Sequence, residues 1–147
     1  MEYFCDAESL SPDKDAFLSS PGLLFYNANL QSNQYAHGGN YSIRLTKDSP
    51  YGMTAIIKQV VAGERFEISV WRRAQNNDAG IVACSTLEKG YYNYDCVAEK
   101  KENDWELLKM KFVVFQNWPN GELKIYLWNS GKDTVYFDDL HIIREFK

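Results

Sequence analysis

The stretch ERFEISVWRR places a large aromatic ring among charged residues. Side chains alternate between the two faces of an extended strand. The apolar face comprises Phe66, Ile68 and Val70. Trp71 and Arg73 fall on the opposite, wetter face, where an indole and a guanidinium group can contact a ligand. In the alternative interpretation, Trp71 packs under the 76–80 loop and Arg73 only stacks on it.

A second unusual feature is the pair of acids in FDDL, Asp138 and Asp139, within an apparent strand that such residues disfavour. Alternation sends Asp138 to the same side as Leu140 and Ile142, where an unpaired charge is costly. A bound cation would compensate this charge. Hydrogen bonds from backbone N–H groups of the turn HGGN would do so as well.

No catalytic constellation accompanies these residues. The two histidines, His37 and His141, are far apart and neither has the spacing of metal ligands. No Gly-x-Ser-x-Gly elbow and no phosphate-binding loop occurs. Glu67 has no acidic partner on its own face, as glycoside hydrolysis would require. We therefore expect a protein that is not an enzyme.

The charge and hydropathy of the chain argue against nucleic acid as a partner and against a membrane-spanning segment. The formal net charge of −4 and the absence of a basic cluster argue against nucleic acid. No apolar stretch approaches the length of about 18 residues that spans a membrane. No basic-then-apolar leader begins at Met1. Either the protein is cytoplasmic, or it comes from a longer secreted chain whose leader has been removed.

Period-two alternation dominates from Tyr41 onward, and turns rich in Gly, Asn and Asp interrupt it about every ten residues. This pattern predicts an all-β fold, a β-sandwich or jelly roll of two antiparallel sheets. Short strands and loops are expected in the first forty residues. At this length we expect residues 1–147 to form a single domain.

The three cysteines leave a question open. Cys84 and Cys96 bracket a predicted hairpin and could face each other across its strands, which would suggest an oxidising compartment. In the alternative, they and Cys5 are small buried apolar residues.

The order of several motifs resembles the jelly-roll carbohydrate-binding modules of the galactose-binding-like superfamily. The matching segments are CDAES near the start, HGGNYS, KQVVAGERFEISVWRR, WELLKMKF and the closing VYFDDLHI. Together they cover nearly the whole chain. The same fold also serves as a structural or protein-binding appendage.

The resemblance implies a concave sheet whose outward side chains bind sugars. An indole offers a flat apolar face to a pyranose ring, and nearby polar groups bond its hydroxyls. The residues assigned to this face are Trp71, Arg73, Trp128, Tyr126, Glu67 and Gln75. Loops at the sandwich edge are a second binding place in the superfamily, which makes Tyr91 and Trp118 further candidates.

The resemblance also implies a structural calcium ion. Its ligands would come from an acid near the start of the chain, a small-residue turn and the aspartate near the end. Carried over, these are Glu8, Asp6, Gly39 or Asn40, and Asp138. Calcium prefers such mixtures of carboxylate and carbonyl oxygens.

Two functional hypotheses follow from the residues and the resemblance. In the first, the chain is a non-catalytic module that binds an oligo- or polysaccharide. It would be a monomeric part of a larger, secreted or cell-surface bacterial protein. In the second, it is a structural or protein-binding β-sandwich whose aromatic residues belong to the core.

Overall fold

The computed structural model describes residues 1–19, 22–87 and 90–146. These residues contain thirteen strands: β1 Glu2–Cys5, β2 Ala16–Phe17, β3 Phe25–Tyr26, β4 Gln31–Ser32, β5 Ser42–Leu45, β6 Tyr51–Ile57, β7 Arg65–Arg73, β8 Ala79–Ser85, β9 Tyr92–Asp95, β10 Lys100–Glu102, β11 Trp105–Val113, β12 Leu123–Asn129 and β13 Val135–Glu145. Two single turns of 3₁₀ helix, Ala28–Leu30 and Pro119–Gly121, lie between them. No helix in the described ranges is long and apolar enough to cross a membrane.

The strands form two antiparallel sheets, which confirms the predicted β-sandwich. The first sheet has the order β10-β11-β7-β13-β5-β4, with β1 also paired to β13. The second sheet has the order β2-β3-β6-β12-β8-β9. The short strands β1 to β4 confirm the expectation for the first forty residues.

Alternation decides which side chains fill the space between the sheets. In β7, Phe66, Ile68 and Val70 are buried, whereas the residues between them are only partly covered. In β12, Leu123, Ile125 and Leu127 are fully buried in the same way. One continuous apolar core results, and the intervening side chains of each sheet face outward.

Two arginines enter this interior near the ends of their strands. Arg72, fully buried, donates to the carbonyl oxygens of Ala79 (2.6 Å) and Cys96 (2.7 Å) and to Glu106 Oε1 (3.1 Å). Arg144 donates from Nε to Oε1 of the buried Glu64 at 2.7 Å. Buried charges require such partners, so each arginine joins several segments at one place.

All three cysteines are free. The β8–β9 register pairs Cys84 with Tyr92 and Ile81 with Asp95, so Cys96 lies beyond the opposite end of the ladder from Cys84. The hypothesis of a Cys84–Cys96 disulfide is therefore wrong, because the register places the two thiols at opposite ends of the β8–β9 hairpin. Burial raises the pKa of Cys5 to about 12.

Candidate functional site

Trp71 and Trp128, which the sequence assigned to one surface, lie on different sheets. Trp71 is an outward residue of β7 in the first sheet, and Trp128 is an outward residue of β12 in the second. Outward residues of two packed sheets face opposite sides of a sandwich. The prediction of a single shared platform is therefore wrong.

Trp71 is covered by the turn that contains His37. The two rings stack with centroids 4.2 Å apart and planes 14° apart, and the edge of Trp105 meets His37 at 5.6 Å. The ammonium group of Lys100 lies 5.5 Å from the Trp71 ring. Trp71 thus has two partners within the chain, His37 and Lys100, and the alternative packing role fits its geometry, with a different loop as the cover.

The polar residues predicted beside Trp71 are also engaged. Arg73 stacks on Tyr35, 3.9 Å from its ring centroid, and its guanidinium lies 3.1 Å from Asp104. Glu67 forms ion pairs with two lysines of the neighbouring strand β11. Gln75 is exposed in the loop after β7. On this sheet the predicted ligand residues do not converge on an open aromatic surface.

The second sheet carries a different set of aromatic side chains on its outer face. Here we call Tyr51, Tyr94, Tyr126 and Trp128 the aromatic strip. Register places Trp128 beside Tyr51, and Tyr126 and Tyr94 flank Val82 on successive strands. The Tyr51 ring lies 5.7 Å from Tyr126 and 6.5 Å from Trp128, nearly parallel to the latter, and Tyr94 meets Trp128 at 5.5 Å.

The polar edges of the strip are largely unused. The Tyr94 hydroxyl donates to the carbonyl of Asp78 at 3.1 Å. Among the described residues, none hydrogen-bonds the hydroxyls of Tyr51 and Tyr126 or Nε1 of Trp128. Burial raises the pKa of Tyr126 to about 12. Its hydroxyl, protonated at neutral pH like that of any tyrosine, can donate as well as accept.

A groove runs beside the strip over strands β3, β6 and β12. Its larger part, about 840 Å³, is lined by Leu23, Leu24, Tyr26, Asn27, Tyr51, Thr54, Ile56, Lys58 and Lys124, with Gly22 at its end. A further 260 Å³ lies among Tyr51, Thr54, Lys124 and Tyr126. Because Tyr51 and Lys124 line both cavities, the groove reaches the aromatic strip.

A cavity of about 390 Å³ lies on the opposite sheet, between Arg65, Glu67, Lys111 and Ile143. One of its two carboxylates, that of Glu67, already pairs with Lys111 at 3.7 Å, and the other belongs to Glu145. Its aromatic residues, Phe66 and Phe112, stack on each other and lack polar edges. The groove of the second sheet offers more unsatisfied donors and acceptors and is the better candidate site.

Tyr91 and Trp118 do come together, 4.9 Å apart, in a cluster with Phe112 and Phe115. Trp118 is only 9% exposed, and its Nε1 donates to the carbonyl of Glu122 at 2.9 Å. With its ring and its donor both engaged, Trp118 packs one end of the sandwich. This cluster lies apart from the aromatic strip.

The predicted calcium ligands form a set of hydrogen bonds. Asp138 Oδ2 accepts from the backbone N–H groups of His37 (2.9 Å) and Gly38 (3.1 Å). The Glu8 oxygens accept from the N–H groups of Asn40 (2.9 Å) and Tyr41 (2.8 Å). The turn HGGN therefore directs its donors at both carboxylates, and it is the alternative compensation, hydrogen bonding, that these contacts fit.

Asp138 does not point the way alternation predicts. It pairs with the outward residue Trp71, whereas Ile142 pairs with the inward Ile68, because the register shifts by one residue at Asp139, which has φ 54°. The expectation that Asp138 shares a side with Leu140 is thus wrong. The turn buries it on the outer face, and this burial raises its pKa to about 7.

These contacts do not fit a calcium site. Calcium needs 6–8 oxygen ligands, mostly carboxylates and carbonyls. Here N–H groups point at the carboxylate oxygens of Glu8 and Asp138, and one oxygen of Asp6 accepts from the N–H of Glu8 at 3.0 Å. The described residues contain no group of three or more acidic, His or Cys side chains placed to hold a metal. Gly39 leaves no room for a side chain, since a Cβ there would lie 2.6 Å from Glu8 Oε1.

Two residues of the aromatic strip, Tyr51 and Tyr94, were not assigned to a binding site from the sequence. Tyr51 begins β6, and a bulge follows it, with Met53 at φ 47°. Strict alternation would place Tyr51 and Thr54 on opposite faces, but two consecutive inward residues, Gly52 and Met53, break it and put both on the outer face. The alternating YYNYD segment was available as a signal for Tyr94.

Comparisons with known proteins bear on the fold. No protein-family profile and no curated protein sequence matches the chain. Among solved structures, the C-terminal family 22 carbohydrate binding module of Clostridium thermocellum Xyn10B is similar, with a TM-score of 0.60 and 16% identity over 95% of this chain and 91% of that one. The CBM22-1 xylan-binding domain of Paenibacillus barcinonensis Xyn10C gives 0.58 and 16% over 100% and 94%. A cyclase from Fischerella gives 0.51 and 16% over 84% and 72%. The chain thus shares the jelly-roll fold of carbohydrate-binding modules, as the motifs indicated.

Proposed function

We propose that this protein is a non-catalytic polysaccharide-binding module whose ligand lies along the aromatic strip and the adjoining groove. The observation that carries the proposal is the line of rings from Trp128 through Tyr51 to Tyr126, whose polar edges are unused. These rings belong to adjacent strands of one sheet, so their spacing is set by the backbone rather than by mobile loops.

The chemistry of the strip suits a sugar chain. A pyranose presents C–H groups on its faces and hydroxyls around its edge, and it therefore needs apolar plates beside donors and acceptors. The rings of Tyr51 and Trp128 provide these flat apolar surfaces, and their planes are only 13° apart. The hydroxyls of Tyr51 and Tyr126, the Trp128 N–H and the Asn27 and Thr54 side chains provide polar partners along the groove.

The groove lacks the groups that hydrolysis would need. Glycoside cleavage generally uses two carboxyl groups on either side of the scissile bond. The residues that line the groove in the described part of the chain include no Asp or Glu. Binding without turnover is the activity that these residues support. Such a module belongs to a secreted or cell-surface protein, where polysaccharides are met.

The xylan-binding domains among the structural neighbours make xylan the first ligand to test. We expect affinity electrophoresis and calorimetry with xylan, mannan, β-glucan and cellulose to show binding to at least one polysaccharide. Tyr126→Ala and Trp128→Ala should each weaken it about tenfold or more, the equivalent of about 1.4 kcal/mol.

Trp71→Ala is the matched control, because it removes an indole from the opposite sheet. It should leave affinity unchanged once thermal melting shows that the variant is folded. Loss of binding in Trp71→Ala with retention in Tyr126→Ala and Trp128→Ala would refute the assigned surface. Silence across the whole panel would favour the structural or protein-binding alternative.

A further inference from the structure

Two lysines stand side by side on the rim of the groove. Lys124 of β12 lies opposite Ile56 of β6, and Lys58 follows Ile56 by two residues, just beyond the end of β6. Both line the larger cavity of the groove, and the ammonium group of Lys124 is 5.4 Å from the ring centroid of Tyr126. Two cations therefore adjoin the aromatic strip.

We infer that the groove recognises a glycan bearing an anionic substituent, a uronate carboxylate or a sulfate ester, through Lys58 and Lys124. The inference rests on the proposed function and names its ligand class. Neutral sugar rings stack on the aromatic strip, and the anionic group lies between the two ammonium ions.

The first support is that these lysines have no internal counter-ion. Neither Lys58 nor Lys124 has a carboxylate within salt-bridge distance in the described part of the chain. On the outer face of the other sheet, Lys109 and Lys111 lie 3.5 and 3.7 Å from the carboxylate of Glu67. Lys109 and Lys111 are thus neutralised by Glu67, whereas the two groove lysines have no such carboxylate among the described residues.

The second support is the charge of the surroundings. The chain as a whole has 20 Asp and Glu against 16 Lys and Arg, yet the described residues that line the groove include two lysines and no acid. The acid nearest to Lys124 in sequence is Glu122, whose Oε1 accepts from Thr86 Oγ1 and Asn120 Nδ2, both at 2.9 Å. Like charges on neighbouring strands repel. A ligand anion removes this repulsion and gains charge-assisted hydrogen bonds.

The test compares glucuronoxylan with the same polymer after its carboxyl groups are reduced to neutral alcohols. We expect reduction to weaken binding about tenfold at low salt, and high salt to abolish the difference, because exposed charges are screened. Lys58→Gln and Lys124→Gln should each weaken binding of glucuronoxylan about fivefold more than they weaken binding of the reduced polymer. Lys109→Gln, on the opposite face, should change neither.

The outcomes separate the inference from the proposed function. Equal affinity for native and reduced polymer, with no tighter binding of sulfated xylan, would overturn the anionic preference and leave polysaccharide binding intact. Absence of binding to both, and to the neutral panel, would overturn both proposals. Sulfated xylan binding more tightly than glucuronoxylan, with the same lysine dependence, would support the inference and identify a sulfate ester as the anion.

Discussion

The imidazole of His37 lies flat on the indole of Trp71, with ring planes 14° apart, while its Nδ1 is 2.7 Å from Oδ2 of Asp139. This arrangement fastens the HGGN turn to the strands β7 and β13. It also explains why a tryptophan sits among charges on the outer face of β7. The HGGN turn packs on Trp71. Backbone N–H groups of this turn donate to the carboxylates of Asp138 and Glu8.

Gly39 tests how tightly this turn is packed. Gly39→Ala would place a Cβ 2.6 Å from Glu8 Oε1 at a φ of 66°. We expect the free energy of unfolding to fall by about 2–4 kcal/mol, from backbone strain plus the displaced Glu8 carboxylate. Urea denaturation provides the measurement. Gly121→Ala is the control, because its φ of 58° is similar but the nearest atom is 3.8 Å away. Equal losses in the two variants would contradict the steric argument.

Arg72 and Arg73 are adjacent residues with opposite orientations. Arg72→Ala removes a fully buried guanidinium and leaves the carbonyls of Ala79 and Cys96 without their donor. We expect a loss of about 3–5 kcal/mol. Arg73→Ala removes a partly exposed pair with Asp104 and should cost about 1 kcal/mol or less. Chemical denaturation measures the free energy of unfolding of both variants. Comparable losses of stability would show that the Arg72 contacts contribute little.

The raised pKa of Asp138 predicts how the free energy of unfolding depends on pH. Burial raises its pKa in the folded protein from 3.8 to about 7, and the charge of Asp139 adds to this, whereas the N–H groups of His37 and Gly38 oppose it. The folded state therefore holds a proton that the unfolded state has lost between these values. The contribution of Asp138 to stability is full below pH 3.8 and is lost as the pH rises through 7, by about 4 kcal/mol at most.

Unfolding free energies measured in urea from pH 4 to pH 8 test this sign. Asp138→Asn removes the titrating group and should flatten the decline, even if it lowers stability overall. Asp104→Asn, which alters an exposed acid, should leave the slope as it is. Parallel pH profiles for Asp138→Asn and the unmodified protein would contradict the assignment.

Calcium binding remains a prediction from the motifs, and a chelator addresses it directly. Because the carboxylates of Glu8 and Asp138 accept backbone hydrogen bonds, we expect the same melting temperature in excess EDTA and in millimolar calcium chloride. An ion bound only to the folded state would raise the melting temperature with its concentration. A fall in EDTA that calcium reverses would establish the ion and revise the geometry of this turn.

Much of the architecture could be predicted because alternation is a local property. The pattern of β7 alone assigned Phe66, Ile68 and Val70 to the core, and all three are buried. The same reasoning failed where a bulge interrupts the period of two. At Asp139 and at Met53 the backbone takes a positive φ at a residue that is not glycine, and the residues beyond change face.

From the chain of residues alone, the strands, their inward faces and the class of fold could be determined, since these depend on neighbours along the chain. Which outward faces coincide was decided only by pairing over long separations. Trp71 and Trp128 have equivalent local patterns, yet β7 pairs with β11 and β13, whereas β12 pairs with β6 and β8. Hydrogen-bond register between distant strands, which no local pattern encodes, brings Tyr51 beside Trp128 and leaves Trp71 beneath a turn on the other side.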